Sequence, residues 1–279
     1  MTVRRSLVLG GGGLAGIAWQ TGVLAALAEE GLTVTSGADL TVGTSAGATV
    51  AAQLASGLGL PELYRRQAEP SLQNTELAPA AFDAAALMET WAAILADTTD
   101  PAEARRRVGG LALAADTVPE EARRAVIADR LPAHTWPDGR LVLVTVDAHS
   151  GEVVLLDRTS GVGLVDAVAA SCAVPGVWPP VTIGAGRYVD GGVRSSVNAD
   201  LADGDRVLVL APLPDEALAG QLAGLVAGGA RVLPVTPDEA SAAAFGANPL
   251  DPAVRTPAAR AGLAQGRGIA AEAREIWQG

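Results

Sequence analysis

Apolar residues fall along this chain in short, evenly spaced runs. Ser6-Leu7-Val8-Leu9 comes first, and an apolar, alanine-rich stretch over about 16–30 follows it. Asp39-Leu40-Thr41-Val42 is the second run, with another helical stretch over 46–57 behind it. Short, densely apolar runs suit strands buried on both faces. Strand, helix, strand and helix in succession form a βαβ pattern and predict a parallel sheet. Gly31 stands where the first helix needs a C-terminal cap.

Beyond residue 60 the pattern changes. Pro61, Pro70, Pro79, Pro101 and Pro119 punctuate helical stretches over 84–96, 101–108 and 119–130. This insertion, 61–132, reads either as a cap over a site or as outer-layer helices. The strand pattern returns at Leu141-Val142-Leu143-Val144-Thr145-Val146-Asp147, and Val153-Val154-Leu155-Leu156-Asp157 answers it across Gly151 as a hairpin partner. A short helix over 164–172 stops ahead of Pro175, and Arg187-Tyr188-Val189-Asp190 ends a strand before Gly191-Gly192. Further strands are predicted at 206–211 and 231–235, a loop at 224–229, and helices within 237–279, chiefly 254–277. With no repeat, charge run or linker, the chain reads as a single domain, 1–279.

Composition narrows the function classes. The 279 residues can enclose a sizeable core. A net charge of -11 argues against nucleic acid, whose binders carry basic patches. It also gives no polybasic attraction to anionic membrane. Docking on neutral lipid through apolar side chains is untouched by that argument. The single cysteine, Cys172, allows no intrachain disulfide, in keeping with a reducing cytoplasm. Arg4-Arg5 ahead of Leu7-Val8-Leu9 imitates a secretion signal, but consecutive glycines and Trp19-Gln20 break the apolar stretch. The first strand is therefore expected to be retained. No stretch offers the continuity of a membrane span. The expectation is a cytoplasmic protein, with peripheral membrane contact as its route to lipid.

The chemistry concentrates at two glycine-rich turns. Gly43-Thr44-Ser45-Ala46-Gly47 follows a strand and opens a helix, which exposes a serine hydroxyl on a tight bend; small residues at 43 and 47 avoid collision across it. Gly10-Gly11-Gly12-Gly13-Leu14-Ala15-Gly16 follows the first strand and can present backbone N–H groups to an oxyanion formed at Ser45. Gly11, Gly13 and Gly16 also fit a dinucleotide-binding turn. That reading needs an acidic residue closing the second strand. Here Asp39 opens the strand, Glu29 and Glu30 fall inside the preceding helix, and the strand closes on Gly43-Thr44-Ser45.

A serine needs a base. His134 and His149 are the two histidines; nothing after His149 can take the last place in the order Ser, acid, His, and both read as surface or loop residues. Asp190 is the stronger candidate, at the C-terminal end of a strand where parallel-sheet sites gather, with Gly191-Gly192 permitting close backbone approach. A dry cleft raises a carboxylate's pKa towards a useful value. Cys172 reads as a packing residue. Trp91, Trp136 and Trp178 are candidates for an acyl pocket, Trp178 foremost, with core packing as the alternative.

Taken in order, Gly10–Gly16, Gly43-Thr44-Ser45-Ala46-Gly47, Ala170-Ser171-Cys172-Ala173-Val174-Pro175 and Asp190-Gly191-Gly192 resemble the patatin-like phospholipase family over roughly residues 6–200. The resemblance implies a three-layer α/β/α fold with a mostly parallel central sheet. It implies hydrolysis of lipid acyl esters through an acyl-enzyme, with a Ser–Asp dyad and no metal or cofactor. Ser45 is then the nucleophile, Asp190 its base, and Gly11, Gly12 and Gly13 the oxyanion hole. The 170–180 segment supports the site, and Asn198 is structural. Ala15 departs from the family, which commonly has Arg or Lys there. Lipid or a small ester is the implied partner. Acyl transfer or thioester hydrolysis by the same dyad is the alternative chemistry, and a non-catalytic lipid- or nucleotide-binding protein the alternative class.

Overall fold

The computed structural model describes residues 3–79 and 84–279. In chain order the elements are β1 (Arg5–Leu9), α1 (Gly13–Glu29), α2 (Val34–Gly37), β2 (Leu40–Gly43), α3 (Ala46–Leu54) and α4 (Leu60–Ala68). Then come α5 (Ala84–Ala96), α6 (Pro101–Ala114), α7 (Glu120–Arg130), β3 (Arg140–Asp147), β4 (Val153–Leu156) and α8 (Leu164–Ser171). The chain finishes with β5 (Val181–Ile183), β6 (Gly186–Asp190), β7 (Arg206–Leu210), α9 (Leu218–Ala227), β8 (Arg231–Val235), α10 (Glu239–Phe245) and α11 (Arg255–Gln278).

The described strands form one eight-stranded sheet in the order β5-β6-β3-β2-β1-β7-β8, with β4 added to β3. β1, β2, β3, β7 and β8 pair in parallel, while β4 and β6 pair antiparallel with β3, and β5 antiparallel with β6. Successive strand residues point to opposite faces. On one face Leu7, Leu9, Leu143, Leu208 and Leu210 pack beneath α1, α3, α8 and α11. On the other, Val8, Val42, Val144, Val207 and Val209 pack with α9, and Val146 and Val189 with Ala112 of α6. This is the expected three-layer arrangement.

Strand β3 sets the position of the site. Its Leu143 pairs with Gly43 of β2 and with Leu156 of β4. Its Thr145 pairs with Asp190 of β6 and with Val154 of β4. β2 and β6 therefore share the edge of β3 opposite β4, one after the other. They run in opposite directions, so their C-terminal ends meet head-on, two β3 residues apart.

Several expectations are corrected. The glycine-rich stretch 224–229 suggested a loop, yet 224–227 belongs to the helix Leu218–Ala227: Gly224 faces open space, and a surface helix tolerates it. Helix α6 runs to Ala114 rather than stopping near 108. Strand β5 was not foreseen, being too short to show a period. Within 61–132, α4 packs on α1 and α11, α6 on β3, and α7 on α8. Among the described residues no helix is long and apolar enough to cross a membrane.

Helices α1 and α11 cross at very short range. A Cβ on Gly22 would sit 2.3 Å from the Ala259 carbonyl oxygen, and one on Gly262 would sit 2.3 Å from that of Trp19. Gly262→Ala should therefore lower stability by about 1–3 kcal/mol, although alanine is favoured over glycine by about 1 kcal/mol in a helix. Gly268→Ala, facing open space on the same helix, should raise it. Urea unfolding midpoints of the two variants check the contrast.

Candidate active site

Ser45 occupies a backbone conformation that L-residues avoid, φ 54° and ψ -115°. Hydrogen bonds hold it from both sides. The Ser45 N–H donates to Ser171 Oγ at 3.0 Å, and the Ser171 hydroxyl donates to the Val144 carbonyl at 2.8 Å. The Cys172 thiol donates to the Ser45 carbonyl at 3.1 Å. Thr44 N–H reaches the Leu9 carbonyl and Gly47 N–H the Gly10 carbonyl, each at 3.0 Å. A Cβ at Gly47 would fall 1.9 Å from the Leu9 carbonyl oxygen, so no other residue fits beside this bend. Cys172 thus does more than pack: it is buried and bonded to the serine turn itself.

Asp190 ends β6 and is 3% exposed. Its N–H donates to the Ala173 carbonyl at 3.0 Å. Residues 171–173 therefore hold the Ser45 turn at one end and the Asp190 backbone at the other. Asp190 Oδ1 accepts the Gly192 N–H at 2.7 Å. Oδ2 is buried with no partner of full hydrogen-bond geometry among the described residues. Burial pushes the carboxyl up to about 7, an effect that the facing Ser45 hydroxyl and the Gly192 N–H partly offset. Asn198, fully buried and left-handed at φ 55°, donates from Nδ2 to Thr44 Oγ1 at 3.0 Å and to the carbonyls of Ser195 and Gly191. It ties the serine turn to the aspartate loop.

The glycine turn lies against Ser45. A Cβ on Gly11 would be 3.4 Å from Ser45 Cβ, and one on Gly16 3.3 Å from Ala46 Cβ. Gly10 and Gly11 have engaged N–H groups, donating to the Leu210 and Ser196 carbonyls at 2.9 and 2.7 Å. Gly12, Gly13 and Ala46 have N–H groups with no partner among the described residues. Of the three glycines expected to supply donors, Gly11 therefore has its N–H committed elsewhere, and Gly12 and Gly13 have theirs free. Ala15 is fully buried in α1.

These groups share a cavity of about 500 Å³. Ser45, Asp190, Gly12 and Gly13 line it with Leu14, Ile17, Leu87, Val177, Trp178 and Leu250. Trp91 also lines it; Trp136 does not, its indole N–H donating to the Val162 carbonyl at 2.7 Å. Neither histidine reaches the cavity. His134 is exposed with Nε2 3.0 Å from the Ala128 carbonyl, and His149 is exposed on the β3–β4 turn. Asp39 accepts the Arg5 N–H near the start of β1, at the opposite end of the sheet, and Glu29 pairs with Arg267. No group of metal-ligating side chains occurs among the described residues.

One set of cavity residues escaped the sequence reading. Glu76, Arg123 and Arg130 line the wall. Arg130 grips Glu76 with two hydrogen bonds of 2.9 and 2.5 Å. Arg123 lies over the Trp178 ring, 3.8 Å from its centre, with Nη1 3.9 Å from Glu76. Arg255 stands 3.9 Å from the same carboxylate. Burial, together with the neighbouring Arg130 charge, pushes Arg123 down to about 9. Residues 119–130 read only as one of the helical stretches of the insertion 61–132. The inward face, Arg123, Ile127 and Arg130, follows helical spacing but shows only once the helix is docked.

The family described as Patatin-like phospholipase matches residues 7–203 by sequence. A search of curated proteins finds no match. Among solved structures, VipD from Legionella pneumophila is similar at 15% identity and a TM-score of 0.50, over 97% of this chain and 67% of VipD. The type III effector ExoU is similar at 18% identity and a TM-score of 0.42, over 96% of this chain and 53% of ExoU. ExoU in complex with SpcU, from the type III secretion system of Pseudomonas aeruginosa, gives 15%, 0.43, 99% and 53%. This chain therefore spans about half the length of ExoU. Identities this low speak to fold alone. The family match covers well over half of the chain and takes in the glycine turn, the Ser45 turn and Asp190, and the chain belongs to the patatin-like phospholipase family, a family of lipid hydrolases.

Proposed function

We propose that this chain hydrolyses acyl esters of lipids with a Ser45–Asp190 dyad. The observation that carries the reading is the buried Asp190 carboxyl, poised near neutrality and facing the strained Ser45 turn in one apolar cavity. A base works best with a pKa near the working pH.

The steps follow from that geometry. Asp190 accepts the Ser45 hydroxyl proton as Oγ attacks the ester carbonyl. The carbonyl oxygen becomes an oxyanion, and the free N–H groups of Gly12 and Gly13 are the donors available to it. Losing one such donor typically costs roughly 10²–10³ in kcat. Asp190 returns its proton to the departing alcohol as the C–O bond breaks, leaving an acyl group on Ser45. Water then attacks the acyl-enzyme with Asp190 again accepting the proton, and the acid departs as Ser45 regains its own. Apolar walls suit the acyl chain and keep Asp190 desolvated.

A fluorophosphonate probe should label Ser45, identified by mass spectrometry, and Ser45→Ala should lose both labelling and at least about 10³-fold in kcat. Activity surviving in Ser45→Ala would sink the proposal. The value of kcat/KM should rise with pH through an apparent pKa of about 7 as Asp190 ionises; a profile flat down to pH 5 removes Asp190 as base.

The same pKa has a stability consequence. Folded Asp190 holds its proton up to about 7, whereas an unfolded aspartate releases it near roughly 3.9. Between those values the folded state binds more protons, so stability falls as pH rises, by on the order of 4 kcal/mol over the window. Asp190→Asn lacks this loss. Its urea midpoint should gain on the native protein's from pH 5 to pH 8, while its hydrolysis is lost.

A further inference from the structure

We propose that Arg123 receives a negatively charged oxygen group, phosphate or carboxylate, carried by the substrate itself, so that the cavity selects anionic amphiphilic esters. The hydrolytic part rests on the Ser45 reading; the binding part stands without it.

The argument begins with hydrogen-bond capacity. Three guanidinium groups surround the one carboxylate of Glu76, which is buried with them. Arg130 takes both Glu76 oxygens, and Asn74 Nδ2 donates to one of them at 2.9 Å. Arg255 is satisfied elsewhere, donating to Gln67 Oε1 and to the carbonyls of Asn74 and Arg66. Arg123 is left over. It is 6% exposed, and none of its N–H groups donates a hydrogen bond to a described residue. Its closest approach to Glu76, 3.9 Å, exceeds hydrogen-bond length.

A buried cation with unused donors is costly unless a partner arrives. Stacking on Trp178 offsets part of the cost and fixes the guanidinium plane, leaving the donor edges unused. In the same cavity, the Trp91 indole N–H is also buried without a partner among the described residues. A guanidinium with unused edges matches the oxygens of a phosphate or carboxylate.

Position then decides whose anion it is. Arg123 and Arg130 line the same cavity as Cys172, whose thiol donates to the Ser45 carbonyl, and as Ser45 itself. The cluster therefore shares its cavity with the serine turn. It opens into the cavity that holds Ser45, whose walls are otherwise largely apolar. A ligand that satisfies both must carry its charge on an apolar body.

The test uses the Ser45→Ala protein, which turns nothing over, with octyl phosphate, octanoate and octyl glucoside titrated below their micelle concentrations by calorimetry. At least one anionic ligand should bind about tenfold or more tighter than the neutral one. The tighter of the two anions names the group. Equal affinity for all three overturns the proposal, with Arg123 in place and no question of misfolding. In the same background, Arg123→Gln should abolish the anionic preference and Arg123→Lys restore part of it. Arg123→Gln should also raise Tm, since it removes an unpaired buried charge; an arginine serving the fold alone would lower it. Retained preference in folded Arg123→Gln likewise overturns the proposal. With Ser45 intact, kcat/KM for a p-nitrophenyl monoester of adipic acid is compared with that for p-nitrophenyl hexanoate. The acid-to-neutral ratio should drop about tenfold in Arg123→Gln. Failure of both substrates to react counts against the hydrolase reading and leaves the binding result to decide on Arg123.

Discussion

The left-handed backbone at Ser45 is the constraint on which the site depends. An L-residue held in such a region costs of order 1–3 kcal/mol and persists only when its surroundings over-determine it. Here they do. Ser171 takes the N–H, Cys172 bonds to the carbonyl, and Gly47 leaves no room for the bend to relax against Leu9. The strain aims the hydroxyl into the cavity at the point where β2 becomes α3.

Strand pairing supplies the second half of the site. β2 and β6 approach each other along one edge of β3, and register alone brings Gly43 and Asp190 within two β3 residues. Residues 171–173 and Asn198 then bridge the two ends. The carboxyl sits where water is scarce, and its raised pKa is the electrostatic counterpart of the backbone strain at Ser45. Both raise the free energy of the folded state, and the apolar layers on the two faces of the sheet offset them.

The cavity wall holds buried positive charge that the net charge of the molecule does not show. The chain carries a net -11, yet the cavity wall gathers Arg123 and Arg130 around Glu76, with Arg255 behind them. Formal charge counted along the sequence averages over this separation. Bulk charge governs long-range attraction to a surface, whereas buried guanidinium groups govern what is accepted inside.

Much was legible in the sequence because the chemistry at each point is local. The glycine turn, the Ser45 bend and the strand ending in Asp190-Gly191-Gly192 are short segments whose backbone demands appear in consecutive residues. Strand runs and the βαβ pattern fixed the parallel half of the sheet for the same reason. What needed the tertiary structure were relations between distant segments. That Gly11 has its N–H engaged by Ser196, while Gly12 and Gly13 have no partner for theirs among the described residues, depends on a loop nearly two hundred residues away. That β6 runs antiparallel and meets β2 end to end depends on β3. Arg123 reads only as part of one helical stretch of the insertion until docking turns it inward against Trp178 and Glu76. Sequence by itself determined which backbone bends are possible, because sterics act between neighbours. Only the folded chain decided which donors are left unpaired, because that depends on what every other segment has already taken.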